Sequence, residues 1–164
     1  MKNFIARTFA FVVIQISSAI CASTSLAEAP VLYDVKADGT AQIAAALKTA
    51  QAENKRVILK FGANWCGWCH KLSGLLKTNA ELAQLVKDNY LVVLIDVDKE
   101  HNKNAVEKYE NPTKFGLPVL VVLESDGKLL TTQDTGKLEE GNQHSPAKVK
   151  AFLEKWRKAK PARI

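Results

Sequence analysis

Cysteine is scarce in this chain: three in 164 residues, of which only Cys66 and Cys69 lie outside the first 27. A disulfide-stapled scaffold is excluded, because such scaffolds are cysteine-dense. Methionine is scarcer still, with Met1 alone, so a Met axial ligand to haem is excluded. Beyond the N-terminal segment no apolar run approaches the roughly 20 residues of a membrane helix. Eight Gly and five Pro are too few for a collagen-like or low-complexity chain. No internal repeat is visible, which argues against a solenoid. Also missing is a basic stripe interleaved with aromatics, the footprint of a nucleic-acid partner. The net charge of +6 is scattered apart from Lys155, Arg157, Lys158, Lys160 and Arg163, and drops to +4 when Lys2 and Arg7 are set aside.

What is present describes a globular domain with an export label. The chain is 47% hydrophobic and 24% charged. Lys2 and Arg7 precede an apolar run, Phe9 to Ile16, and small residues lead to Ser25-Leu26-Ala27. That is the pattern of a cleavable secretory signal over residues 1–27, leaving 28–164 as a single domain. Gln15, Ser17 and Ser18 make the run a poor membrane anchor. Ile20 before Cys21 is bulkier than the residue a lipid-modified cysteine usually follows. The expected location is therefore outside the cytoplasm: periplasmic in a Gram-negative source, secreted otherwise.

Hydrophobic periodicity sets the elements. Val31 to Val35 is a short strand candidate, and Thr40 to Glu53 a helix with Ile43, Ala46, Leu47 and Ala50 on one face, capped near Asp38. Arg56 to Gly62, Tyr90 to Val97 and Pro118 to Leu123 read as buried strands. Cys66 to about Val86 reads as helix, broken near Thr78-Asn79, and Asn102 to Tyr109 as a shorter one. Ser125-Asp126-Gly127 turns the chain into Lys128 to Gln133, a hairpin. Gly136 to Ser145 reads as a polar, mobile loop, and Ser145-Pro146 opens a last helix whose stripe is Val149, Phe152, Leu153 and Trp156. The fold class is α/β: a mixed central sheet with helices on both faces, parallel where helices intervene and closed by a C-terminal hairpin and helix.

The cysteines sit at Trp65-Cys66-Gly67-Trp68-Cys69-His70, where a buried strand ends and a helix begins. A disulfide closing so short a loop removes little denatured-state entropy, so the pair is there for chemistry. Unpaired N–H groups and the positive end of the helix stabilise a thiolate at Cys66. Thiolate is the attacking species in disulfide exchange. Cys69, one turn deeper on the same face, can resolve a mixed disulfide made by Cys66.

Together with Gly116-Leu117-Pro118 at the start of a later strand, this motif resembles the thioredoxin superfamily from about Thr40 to Lys158. The resemblance implies a thioredoxin-like fold and thiol–disulfide oxidoreductase activity. It implies a cis bond before Pro118, Leu117 pairing with substrate backbone, and no cofactor beyond the Cys66–Cys69 disulfide. It also implies that Trp65 packs beside the disulfide, that Trp65 and Gly67 belong to the substrate-binding surface, and that Trp68 either joins that surface as an exposed apolar contact or packs into the core. Protein or small-molecule disulfides are the implied substrates, with a membrane electron donor if the enzyme is a reductase. Nucleic acid is not a partner, and a monomer is expected.

Three departures from the family matter. The dipeptide between the cysteines is Gly67-Trp68, which bears on redox potential. Lys60 stands where the family has a buried acid; it either tunes the thiolate from a buried position, pairs with Asp96, or snorkels from the strand end. The 136–145 segment is long and could shape a groove. His70 could shuttle a proton, though solvent exposure is the expectation. Reduction or isomerisation is favoured over oxidation, and two non-exchange readings stay in view. One is a non-catalytic binding module, against which the retained cysteine pair argues. The other is a c-type haem site at Cys66-Gly67-Trp68-Cys69-His70, whose second ligand would have to be His101 or His144, both in polar segments expected to be exposed.

Overall fold

The computed structural model describes residues 31–159; the proposed signal segment lies outside them. The elements run α1 (Gly39–Glu53), β1 (Arg56–Gly62), α2 (Gly67–Thr78), α3 (Ala80–Asn89), β2 (Tyr90–Asp96), α4 (Lys103–Lys108), β3 (Val119–Leu123), β4 (Leu129–Asp134), β5 (Glu139–Glu140), β6 (Gln143–His144) and α5 (Pro146–Trp156). Helix boundaries follow local chemistry. Asp38 caps α1 by accepting from the N–H groups of Thr40 and Ala41 at 2.8 and 3.2 Å. Asn54 ends α1 in the left-handed conformation, φ 52°. Asn79 separates α2 from α3 and caps the latter through Leu82 N–H at 3.1 Å, so the anticipated break is real.

The main sheet has the order β2-β1-β3-β4. Side chains alternate across β1, and the two faces carry separate cores. Val57, Leu59 and Phe61 pack with Ile43 and Ala50 of α1 and Ala105 of α4. Ile58 packs on the opposite face with Leu72 of α2, Leu82 of α3 and Phe152 and Leu153 of α5. Each buried Val, Leu, Ile or Phe among them contributes about 1.5–3 kcal/mol by leaving water.

The structure corrects the sequence reading in three places. Residues 31–35 are not a strand. The N–H groups of Leu32 and Tyr33 both donate to Asn64 Oδ1 at 2.8 Å, and Asn64 Nδ2 donates to the Tyr33 carbonyl at 2.9 Å. One side chain thus supplies the bonds a neighbouring strand would have made.

Among the described residues only β1 and β2 are parallel; β3 runs antiparallel to β1, with Phe61 opposite Val119. Helix α4 explains this. Its six residues span about 9 Å, too short to carry the chain back along strands of about 23 Å. The chain therefore re-enters the sheet at the end it has just left.

The 136–145 segment is not a loose loop. After a turn at Thr135–Leu138 it forms the β5–β6 hairpin, with Leu138 and His144 buried. Leu138 anchors it in the α5-side core, and Ser145 N–H bonds the Leu138 carbonyl at 2.8 Å. Ser145 opens α5 and Pro146 takes the first helical position, although the Ser145 hydroxyl makes no capping bond.

Candidate active site

Strands β1 and β2 end side by side, with Gly62 in register with Asp96, and β3 begins beside them. Loop 63–65 leads from Gly62 to Cys66, which caps α2: its Sγ accepts from the N–H of Cys69 at 3.2 Å. Cys66 and Cys69 form a disulfide, Cα–Cα 5.2 Å. Cys66 retains 5% exposure while Cys69 has none. Any incoming sulfur therefore meets Cys66 first. Leu117 packs against the cluster of Tyr33, Cys66 and Cys69, and the Leu117–Pro118 peptide bond is cis. Gly67 is exposed, with open space around it.

The floor of the site was not legible in the motif. Tyr33 is fully buried, and it shares with Cys69 Sγ the space over Gly62. A β-carbon on Gly62 would stand 2.7 Å from that sulfur and 2.6 Å from Tyr33 Cζ. Neither neighbour is a loose side-chain end. Gly62→Ala is therefore expected to cost about 1–3 kcal/mol by overpacking and to displace Cys69. A thermal melt beside an exchange assay checks this; an unchanged melting temperature would show that the floor yields freely.

Lys60 is 1% exposed, so it does not snorkel. Its Nζ donates to the Cys69 carbonyl at 3.1 Å and to Ser73 Oγ, and lies 5.4 Å from the Tyr33 ring centroid. Burial pushes the amine down to about 8. The pairing with Asp96 does not occur. Tyr33 fills the space over Gly62, Asp96's partner in the sheet, and Asp96 Oδ2 instead meets His101 Nδ1 at 3.1 Å.

Trp65 does not pack beside the disulfide, and Trp68 takes the packed alternative. Trp65, in the loop before the helix, is 69% exposed, and its Nε1–H donates to Asp98 Oδ1 at 2.9 Å. Trp68, on the first turn of α2, is half-buried and packs on the cysteine cluster. Its ring meets His144 edge-on at 5.2 Å between centroids, with Lys71 Nζ 4.2 Å from its own centroid. His70 is not free in solvent either; its Nε2 lies 2.7 Å from the Asn64 carbonyl, which ties α2 to the loop before it. His144 is 2% exposed and His101 only partly exposed, so neither matches the open setting expected for them.

A family described as Thioredoxin-like matches residues 38–125. The chain belongs to it. This thioredoxin-like chain is similar to the disulphide isomerase of Xylella fastidiosa Temecula1, with 33% identity, TM-score 0.69, and coverage of 77% of this chain and 96% of that one. It is also similar to the reduced C-terminal domain of DsbD from Neisseria meningitidis, at 25% identity and TM-score 0.52 over 72% and 96% of the two chains. A protein disulfide-isomerase of Medicago sativa is 29% identical over 72 residues, 44% of this chain. The curated relatives are much longer: the matches span 14% of the Medicago protein and 8% of another. The thioredoxin-like fold and membership of the thiol–disulfide oxidoreductase family therefore stand. Gly62, Tyr33, Asn64 and His144 complete the site. Of these, only Gly62 had a signal in the sequence, as the small residue closing β1 before the motif.

Proposed function

We propose that this protein is an exported reductase or isomerase of disulfides in proteins or small molecules, acting as a monomer through Cys66 as nucleophile and Cys69 as resolving residue. The observation that carries the reading is the asymmetry of the pair. Cys66 is at a helix N-cap and reachable, whereas Cys69 is sealed beneath it. In the reduced enzyme, Cys66 thiolate attacks one sulfur of a substrate disulfide lying along Leu117 and Pro118, and the other sulfur leaves as thiolate. Cys69 gives its proton to the neutral amine of Lys60 and attacks Cys66 Sγ. The second substrate thiolate leaves and the Cys66–Cys69 disulfide forms. Two electrons have then passed to the substrate, and both thiolates take protons from water and Lys60. In isomerisation the first thiolate released instead attacks another disulfide of the substrate. The thiolate which that frees attacks the mixed disulfide, forming the new substrate disulfide and returning Cys66 as thiolate. Trp65 offers the exposed apolar surface beside the nucleophile, and Gly67 leaves its approach open. A reductase needs a membrane dithiol to restore Cys66 and Cys69.

The reduction potential decides the direction. Equilibration with glutathione or dithiothreitol, followed by alkylation, is expected to place the pair towards about −270 mV for a reductase or about −180 mV for an isomerase. A value near about −120 mV would overturn the reading in favour of a dithiol oxidant.

A further inference from the structure

Buried polar groups are almost always hydrogen-bonded, and one left without a partner costs about 1–3 kcal/mol. His144 is 2% exposed, and neither ring nitrogen has a partner among the described residues. It belongs to the β5–β6 hairpin and meets Trp68 edge-on, ring planes at 89°. Lys71 lies over the Trp68 ring and donates to the Asn142 carbonyl at 2.5 Å, binding α2 to the hairpin beside His144. The indole is thus held by His144 and Lys71 and packs against the cluster of Tyr33, Cys66 and Cys69.

We propose that His144 is a positioning residue for the redox pair, holding the indole of Trp68 against Cys66 and Cys69. The inference rests on the exchange reading above. An indole kept on the pair keeps water from one side of it, and water would favour the thiolate of the reduced form. Releasing Trp68 therefore stabilises the reduced enzyme and makes its disulfide a stronger oxidant. The hold also depends on pH. The charged groups facing His144 are Lys60 on β1, Lys71 on α2 and Glu139, opposite it in the hairpin ladder. Burial and the two lysines keep the imidazole below its ordinary range, so it is neutral at pH 7. In acid the ring acquires a charge it cannot keep beside two cations. A groove of about 380 Å3 lined by Lys71, Leu75, Thr78 and His144 gives it a way to water.

His144→Ala and His144→Phe test this, the second keeping an aromatic edge that cannot titrate. At pH 7 the equilibrium constant for oxidation by glutathione is expected to fall about tenfold in His144→Ala, the equivalent of one thiol pKa unit. It should stay within about twofold of wild type in His144→Phe. In the oxidised protein the Trp68 indole N–H resonance is expected to move as the pH is lowered from 7 in wild type and to stay fixed in His144→Phe. A purely structural residue would lower the melting temperature without moving either readout. An equilibrium constant unchanged in His144→Ala, or a Trp68 resonance that still titrates in His144→Phe, overturns the proposal. Should His144→Ala fail to fold, the Phe variant decides through the resonance alone. Failure of the exchange reading itself looks different: wild type would not equilibrate with glutathione at all.

Discussion

Cys66→Ala is expected to reduce disulfide exchange at least roughly 10³-fold, to the uncatalysed background, the scale on which loss of a nucleophile acts. Cys69→Ala should do something different: it should leave the first attack intact and accumulate covalent complexes with substrate. The reason is geometric. Only Cys66 meets solvent, and only its sulfur accepts the N–H bond at the start of α2. A negative charge on that sulfur is stabilised by the bond and the helix end together, each a matter of about 1 kcal/mol. Cys69 has no route to a bulky disulfide, because Gly62, Tyr33 and Cys66 enclose it. Its reach is limited to Cys66 Sγ. Non-reducing electrophoresis after mixing Cys69→Ala with reducible protein substrates gives the check. Complexes that vanish with dithiothreitol support the order of attack, whereas complexes formed by Cys66→Ala and not by Cys69→Ala would reverse it.

Most of the scaffold was legible because its signals are local. Apolar runs marked β1, β2 and β3, Asn79 marked a helix break, and the Cys66–Cys69 spacing on a strand-to-helix junction marked the chemistry. What escaped depends on contacts between distant residues. Asn64 lies next to the motif, yet its task is to bond the backbone of Leu32 and Tyr33, more than thirty residues earlier. No periodicity encodes that. Polar composition made 136–145 look loose, since one Leu and one His carry little weight against Gly, Glu, Asn and Gln. Leu138 and His144 nonetheless bury themselves against α5 and Trp68 and order the hairpin. That contact also explains which of the two tryptophans is packed. With the hairpin closed over the first turn of α2, Trp68 is covered and Trp65 is left to solvent.

Lys60 gives the second large effect, and its sign follows from where the proton sits. In the oxidised protein burial lowers the amine to about 8 from an ordinary 10.5. Between those two values the folded chain has released a proton that the unfolded chain still holds. Folding stability must therefore rise with pH across that window. By pH 10 this amounts to roughly 2–3 kcal/mol relative to pH 6, at about 1.4 kcal/mol per unit. Lys60→Met keeps the apolar stem and removes the titration, so its stability should lack that rise. The buried tyrosines, whose hydroxyls are raised by desolvation, are common to both chains and drop out of the difference. Urea melts of both oxidised proteins from pH 6 to 10 measure it, and a difference that stays flat would mean the amine is not buried as a titrating group. Resolution should respond in the same sense, because only the neutral amine can take the proton of Cys69. In wild type its rate should climb as pH rises through 8, in parallel with Lys60 losing its charge. Lys60→Met should resolve a mixed disulfide about 10²-fold more slowly, the scale of a lost general base, and without that limb. Equal rates in the two proteins would remove Lys60 from the mechanism and leave water as the base.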